Sequence, residues 1–302
     1  ADHPDVDIRI VVGMAKPTAN PKVGCLAGML PEAAHPFILV SDSDIRVEPD
    51  FLSRVVAPMA EPGVGVVTCL YRSQSRGFAG RVSALGLSTD FQPSVLVARK
   101  LEGVSFGMGS GILIRRSILA VLGGFEAIAD SLADDYQLGY LPSRAGHRVE
   151  LARCVVDHGL GTKGWRDVID HQLRWNRGTR AARPGGYAGL VLTQGVPAAI
   201  ALLVLGGGPA TRALAGGAIA ARIAMAWFVA VRCLRDRTAI RRMWLVPARD
   251  LFGLAMWLGG FFGSSVVWRG TRYRLERGGR LGGERAPVSS PRAVARASAS
   301  VR

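Results

Sequence analysis

Three apolar stretches in the second half of the chain most restrict what it can fold into. They are Ala188–Leu205, Leu214–Val231 and Leu251–Val267, each 17–18 residues long and rich in Ala, Leu, Val and Gly. A helix needs roughly 20 apolar residues to span a bilayer, with about 17 as a lower limit. The first two qualify, with Arg222 inside the second. An arginine at mid-membrane is expensive, so the pattern predicts that it faces protein, snorkels or displaces the span. The third stretch holds Gly253, Gly259, Gly260 and Gly263 and reads equally as re-entrant or interfacial. Buried core helices of a soluble protein explain less well three such segments in succession with arginine-rich joints. Arg177, Arg180 and Arg183 precede the first, Arg232, Arg235, Arg237, Arg241 and Arg242 follow the second, and only Arg212 lies between. The positive-inside rule then puts the first half of the chain on the cytoplasmic side. Nine further arginines follow Val267, which favours a third segment that dips in and returns.

Up to about residue 160 the texture is different, with short apolar runs alternating with helical stretches. Strands are predicted at Ile8–Val12, Phe37–Ser41, Val64–Tyr71, Gly111–Arg115 and His147–Val155. Helices are predicted at Val23–Leu30, Pro49–Ala60, Gly77–Asp90, Ser117–Leu122 and Asp135–Ala145. That alternation indicates an α/β layer with a mostly parallel sheet. Residues 161–187 form a basic amphipathic segment, and residues from about Gly278 onward are Gly/Ala/Ser/Arg-rich and predicted to be disordered.

The formal net charge is +15, nearly all the basic excess being arginine. Such an excess points to polyanions: nucleic acid, an anionic membrane surface or phosphate-bearing substrates. Much of the charge flanks the apolar segments and no stacking-aromatic recognition pattern accompanies it, so nucleic acid is not expected as a partner. The four cysteines are scattered, which argues against a zinc site or a disulfide scaffold. The chain opens without Met and runs straight into a strand pattern, so an amino-terminal part is expected to be missing.

Four stretches carry chemistry. In FILVSDSD, Asp42 and Asp44 follow a strand, where open α/β sheets bind ligands, and residues i and i+2 of an extended backbone point the same way. Two such carboxylates suit Mg²⁺ or Mn²⁺ beside substrate phosphates; helix capping is the bland alternative. In LADDYQLGY, Asp134 and Asp135 open a helix, as mere dipole partners or with one as a general base. In SFGMGSG, Gly107, Gly109 and Gly111 let backbone pass close to a ligand, or simply enter a strand. In HQLRWNR, Arg174 can pair with phosphate and Trp175 offers a flat face; a basic helix on anionic lipid is the alternative.

The order SDSD, GMGSG, ADDY, HQLRW and then apolar segments resembles the membrane-bound family-2-type glycosyltransferases of GT-A fold. It looks most like their ceramide glucosyltransferase group, and closest to its bacterial hopanoid-biosynthesis members. The resemblance covers roughly residues 5–280 and includes NPKV at Asn20–Val23, with Lys22, and VVWRGTRYRL near 266–275. It implies a GT-A catalytic domain over 1–160 and the interfacial HQLRW segment over 161–187. Membrane helices would cover 188–268 and a basic tail 269–302. It implies a metal held by Asp42 and Asp44 and a catalytic base in Asp135. The substrate would be contacted by Lys22, Gly109, Asp134, His171, Arg174 and Trp175. It further implies an inverting transfer from a UDP-sugar, UDP-GlcNAc or UDP-glucose, to a hopanoid or ceramide-like lipid at the bacterial inner membrane. A polyprenyl-phosphate glycosyltransferase is the nearest competing reading, and a non-catalytic remnant another. The sequence departs from the family in three ways. The family's domain begins earlier, with a membrane helix and a nucleotide-contacting aspartate. His171 stands where Gln or Arg is usual, and Asp44 where ceramide enzymes can carry Gly.

Overall fold

The computed structural model describes residues 8–268 and 270–287. Five strands form one sheet: β1 (Phe37–Val40), β2 (Ile45–Arg46), β3 (Val64–Gln74), β4 (Ile112–Arg115) and β5 (Arg148–Gly159), in the order β1-β4-β3-β5-β2. The sheet is mixed rather than mostly parallel, because only β3 and β5 pair in parallel while the other three neighbouring pairs are antiparallel. Strand–helix alternation suggests parallel crossovers, but here β4 returns between β1 and β3 against the direction of both. One consequence matters for function. The outgoing ends of β1, β3 and β5 and the incoming end of β4 all lie along one edge.

The other predicted strands and helices form within a few residues of their expected bounds, with two exceptions before residue 160. Residues 8–12 form no strand, and Ile8, Ile10 and Val12 are exposed. A strand exists only through its ladder partner, and none pairs with this segment among the described residues. The helix predicted to end at Asp90 continues: α3 (Phe78–Gly86) passes through a π-turn at Leu87–Phe91 into α4 (Gln92–Leu101), where Pro93 is tolerated in the first turn. β3 is buried on both faces along most of its length, so it reads as a continuous apolar run. Val66, Val67, Ile112 and Ile114 at its seam with β4 are fully or almost fully enclosed, each contributing about 1.5–3 kcal/mol by burial.

Helices α1 (Pro21–Met29), α2 (Phe51–Val56), α5 (Arg116–Val121) and α6 (Asp134–Arg144) cover the sheet, and α7 (Trp165–Ala182) carries HQLRW. Beyond it come α8 (Pro184–Gly189), α9 (Gly195–Leu205), α10 (Pro209–Phe228), α11 (Arg237–Ile240) and α12 (Val246–Gly260). Among the described residues, one helix is long and apolar enough to cross a bilayer: Pro209–Cys233, 25 residues, with an 18-residue stretch of mean hydropathy 1.8. Pro184–Thr193 and Gly195–Leu205 pass that test only as a pair bent by 61°. The predicted 251–267 segment is not one helix. Its first part lies in α12, and after a turn its end enters β6 (Ser265–Trp268), which pairs with β7 (Thr271–Leu275) and then β8 (Leu281–Pro287) in a second, antiparallel sheet. Residues 281–287, expected to be disordered, are therefore a strand; the remainder of that stretch, 288–302, lies outside the described residues.

Arg222 faces protein. Its guanidinium donates to both carboxylate oxygens of Asp250, at 2.9 and 2.7 Å, and to the Thr89 carbonyl at 2.8 Å. Arg177 donates to the carbonyls of Phe262 and Ser265, and Arg180 to those of Phe261 and Gly263, so both serve to anchor α7 on the end of α12.

Candidate active site

The antiparallel pairing of β1 with β4 sets Val40 opposite Ile112, and so brings the start of SDSD beside the glycine loop that enters β4. The Asp42 N–H donates to the Gly109 carbonyl at 3.0 Å. Gly109 has no room for a side chain, because a methyl there would collide with Oδ2 of Asp42 and stand 3.6 Å from Oδ2 of Asp135. On the other side its N–H donates to that Asp135 oxygen at 3.1 Å. Gly139 of α6 is equally constrained, since its Cβ would strike Phe106 and the Gly107 backbone. The glycine loop thus separates the two acidic motifs by the thickness of one backbone.

Lysine 22 joins them from α1. Asn20 caps that helix, its side chain accepting the Lys22 and Val23 N–H groups, while Pro21 opens it. Asn20 is fully buried and also donates to the Ser131 carbonyl (2.8 Å) and to Oδ1 of Asp134 (3.3 Å). Lys22 Nζ then sits 2.8 Å from Asp42 and 2.9 Å from Asp134. Burial works against its charge, but Asp134 and Asp42 outweigh that and hold the ammonium above the ordinary lysine range.

Asp135 is the most perturbed carboxylate here. Burial first, and then the adjacent Asp134, push its pKa up to about 6, against the opposing pull of Lys22 and of the Tyr136 and Gly109 N–H groups. A carboxylate titrating there can exchange a proton near neutral pH. Phe106, Tyr136 and Tyr140 stack beside it, with ring centroids 6.4 and 5.3 Å apart.

Asp44 does not join that group. Its Oδ2 lies 3.4 Å from Nε2 of His158, at the outgoing end of β5. The other ring nitrogen of His158 contacts Ser73 Oγ at 2.9 Å, and Tyr71 meets the ring edge-on. Burial lowers the His158 pKa although Asp44 opposes it, which favours the neutral imidazole. His158 and Ser73 went unrecognised in the sequence, and Asn20 entered only as part of NPKV, without its capping role. The available signal for His158 was position: it is a polar residue at the outgoing end of a largely apolar strand.

On α7, Arg174 lies 3.1 Å from Nδ1 of His171, and Trp175 packs against the His171 and Phe91 rings. A guanidinium has no acceptor, so Nδ1 accepts and the His171 proton resides on Nε2. Burial and then the Arg174 charge push the His171 pKa down to about 3, so the ring is neutral at physiological pH. The field of His158 contributes to that shift, and Lys163 feels both Arg174 and Asp44. The α7 motif therefore flanks the Asp44–His158 side, although no hydrogen bond or ion pair among the described residues joins it to the carboxylates.

Among the described residues no three His, Cys, Asp or Glu side chains form a ready-made metal cluster. The donor types nonetheless fit a hard divalent cation: Asp42 and Asp44 are both partly exposed, and a neutral imidazole stands beside Asp44.

Comparisons with known proteins agree with this layout at the level of class. Over 136 residues the chain is 29% identical to ceramide glucosyltransferase 1 of Caenorhabditis elegans, covering 44% of this chain and 29% of that protein. Ceramide glucosyltransferase 3 of the same organism is 24% identical over 176 residues, 57% of this chain and 38% of its own length. The chain thus spans about a third of the curated relatives it matches. Among solved structures, a mannosyltransferase from Pyrobaculum calidifontis in complex with GDP-Man and Mn²⁺ overlaps 78% of this chain and 65% of its own. Its identity is 20% and its TM-score 0.42. The pattern of glycosyl transferase family 21 runs through residues 1–281, and the chain belongs to that family of glycosyltransferases.

Proposed function

We propose that the chain moves a sugar from a UDP-sugar, glucose or GlcNAc, to the hydroxyl of a membrane lipid of hopanoid or ceramide type, with inversion at the anomeric carbon. The observation that carries this reading is Asp135: a carboxylate with a pKa of about 6, held by two backbone N–H groups one glycine away from Asp42. In the proposed step the acceptor oxygen attacks the anomeric carbon from the face opposite the diphosphate. The carbon–oxygen bond to the diphosphate breaks, UDP departs, and the hydroxyl proton passes to Asp135.

Asp42 and Asp44, with His158 beside them, would hold Mg²⁺ or Mn²⁺. Such a cation, when bound, offsets the negative charge of the departing diphosphate. Lys22 and Asp134 keep Asp42 and Asp135 in register. Gly109 lets the two acidic motifs close to within one backbone of each other. Arg174 and the His171 Nε2–H supply donors to phosphate oxygens, and Trp175 excludes water. The stacked rings of Phe106, Tyr136 and Tyr140 offer an apolar wall suited to a lipid acceptor. Much of the apolar surface of α9 and α10 faces outward, including Leu203, Val204, Leu205, Leu214, Trp227 and Phe228. That surface favours seating in a bilayer over service as core, with the catalytic part on the cytoplasmic face of a bacterial inner membrane.

The test is transfer from labelled UDP-glucose and UDP-GlcNAc, in detergent with Mn²⁺, to hopanoid, ceramide and polyprenyl phosphate, read by mass spectrometry of the lipids. A glycosylated hopanoid or ceramide is expected. Label only on polyprenyl phosphate would replace the acceptor assignment, and no labelled lipid with any donor would sink the reading.

A further inference from the structure

A cavity of about 780 Å³ lies away from those carboxylates, between β3, β5, the start of α2 and the turn that follows α10. Leu70 and Arg72 of β3 line it, while Tyr71 and Ser73, which alternate with them, turn to His158. Its volume is that of an ordinary small-ligand site.

Its charge is lopsided. Arg54, Arg72, Arg153, Arg232 and Arg235 line it, against the carboxylates of Glu48 and Asp50. Two of the five are balanced: Arg54 pairs with Asp50 at 2.6 Å, and Arg72 pairs with Asp157 at 2.5 Å. Arg153, Arg232 and Arg235 have no ion-pair partner among the described residues. The turn that carries two of them is held firmly. Arg235 is the one non-glycine residue at positive φ (52°) among the described residues. The buried Asp236 next to it accepts the Thr238 and Ala239 N–H groups and the Ser88 hydroxyl, and Arg72 donates to the Leu234 carbonyl at 3.2 Å. An ordinary side chain seldom adopts that backbone conformation, and here the surrounding bonds enforce it.

We propose that this cavity is a phosphate-binding site, taking a phosphate monoester or diester on Arg153, Arg232 and Arg235. Guanidinium forks match phosphate oxygens in pairs, and three uncompensated arginines on a fixed turn and strand are arranged to receive them. That turn closes the apolar helix Pro209–Cys233, with Arg232 in its last residues and Arg235 just past its end, so the phosphate is either that of a lipid head group at the foot of the helix or a free phosphate.

The experiment uses the whole chain in neutral detergent or on vesicles and reads phenylglyoxal modification of each arginine by mass spectrometry. Inorganic phosphate is compared with chloride at equal ionic strength, and phosphatidylcholine vesicles with vesicles that also contain phosphatidic acid. Protection of Arg153 and Arg232 by inorganic phosphate supports the site with a free-phosphate ligand. Protection only by phosphatidic acid supports it with a lipid head group. The R153Q/R232Q variant should bind the protecting species at least about tenfold more weakly, while R272Q/R274Q, on the exposed face of β7, should bind as wild type. Failure of every species to protect these arginines, or equal weakening by both variants, overturns the proposal. If R153Q/R232Q does not fold, the protection pattern of the wild-type chain decides alone.

Discussion

Two charge clusters in this chain are built in opposite ways. Around Lys22, one ammonium faces Asp42 and Asp134, with Asp135 adjoining; the cluster carries excess negative charge, and Asp42 remains partly open to solvent. Around Arg222, one guanidinium meets one carboxylate in a two-pronged bond, both side chains are 7% exposed, and the remaining donor goes to a backbone carbonyl. The second is closed, with a second buried guanidinium, Arg249, near the same carboxylate, which suits a fastener between α10, α12 and the α3–α4 turn. The first is open and unbalanced, and burial followed by the adjacent Asp134 raises the Asp135 pKa. Excess charge at an accessible carboxylate site favours ligand binding and catalysis, whereas complete pairing favours stability.

The comparison breaks most visibly at Asp135. Asp135→Asn is expected to lower transfer by about 10²–10⁴-fold while circular dichroism stays native. In the wild type the base must be ionised, and its pKa is raised to about 6, so the rate should hold above that pH. Below it the rate should fall by about tenfold per pH unit. A profile flat down to pH 4.5 would remove Asp135 from the role.

The fastener should respond in stability instead. Arg222→Leu alone strands the Asp250 carboxylate and is expected to cost about 3–5 kcal/mol, read by denaturation in detergent. The double variant with Asp250→Leu should recover only part of that loss, because the buried Arg249 also depends on the Asp250 charge. An unchanged Tm in the single variant would mean that the pair does not hold the helices.

At Gly109 the added methyl must move either Asp42 or the loop. Gly109→Ala is therefore expected to reduce transfer about 10²-fold with little change in stability, as misplacement of reacting groups by about 1 Å can do. The smallest effect is expected at Ser73. Ser73→Ala frees the Nδ1 side of His158 and should weaken Mn²⁺ activation about tenfold, visible as a higher Mn²⁺ requirement at unchanged saturated rate.

Sequence and structure divide the explanation along a physical line. Local patterns were legible without coordinates. The apolar runs mark β1, β3, β4 and β5; the Asp134–Asp135 pair marks a helix start; and the four ordered motifs identify the class. These depend on contacts within a few residues, which composition and spacing encode. The direction of β4 did not follow from them, because a strand reads the same whichever way its neighbours run. Yet that direction sets Gly109 against Asp42. The third apolar segment read as re-entrant or interfacial, but its glycine-rich end turns at Gly263 (φ 80°) and enters β6, with α7 supplying Arg177 and Arg180 to its carbonyls. Residues 281–287 carry no strand pattern of their own and become one by pairing with β7. By itself, then, the sequence determined the kind of chemistry: paired carboxylates after a strand, a glycine passage, a base at a helix start and a basic motif on a helix. Only the tertiary structure decided which of those groups meet, since Lys22 bridging Asp42 to Asp134, and His158 facing Asp44, join residues distant in the chain through a mixed sheet.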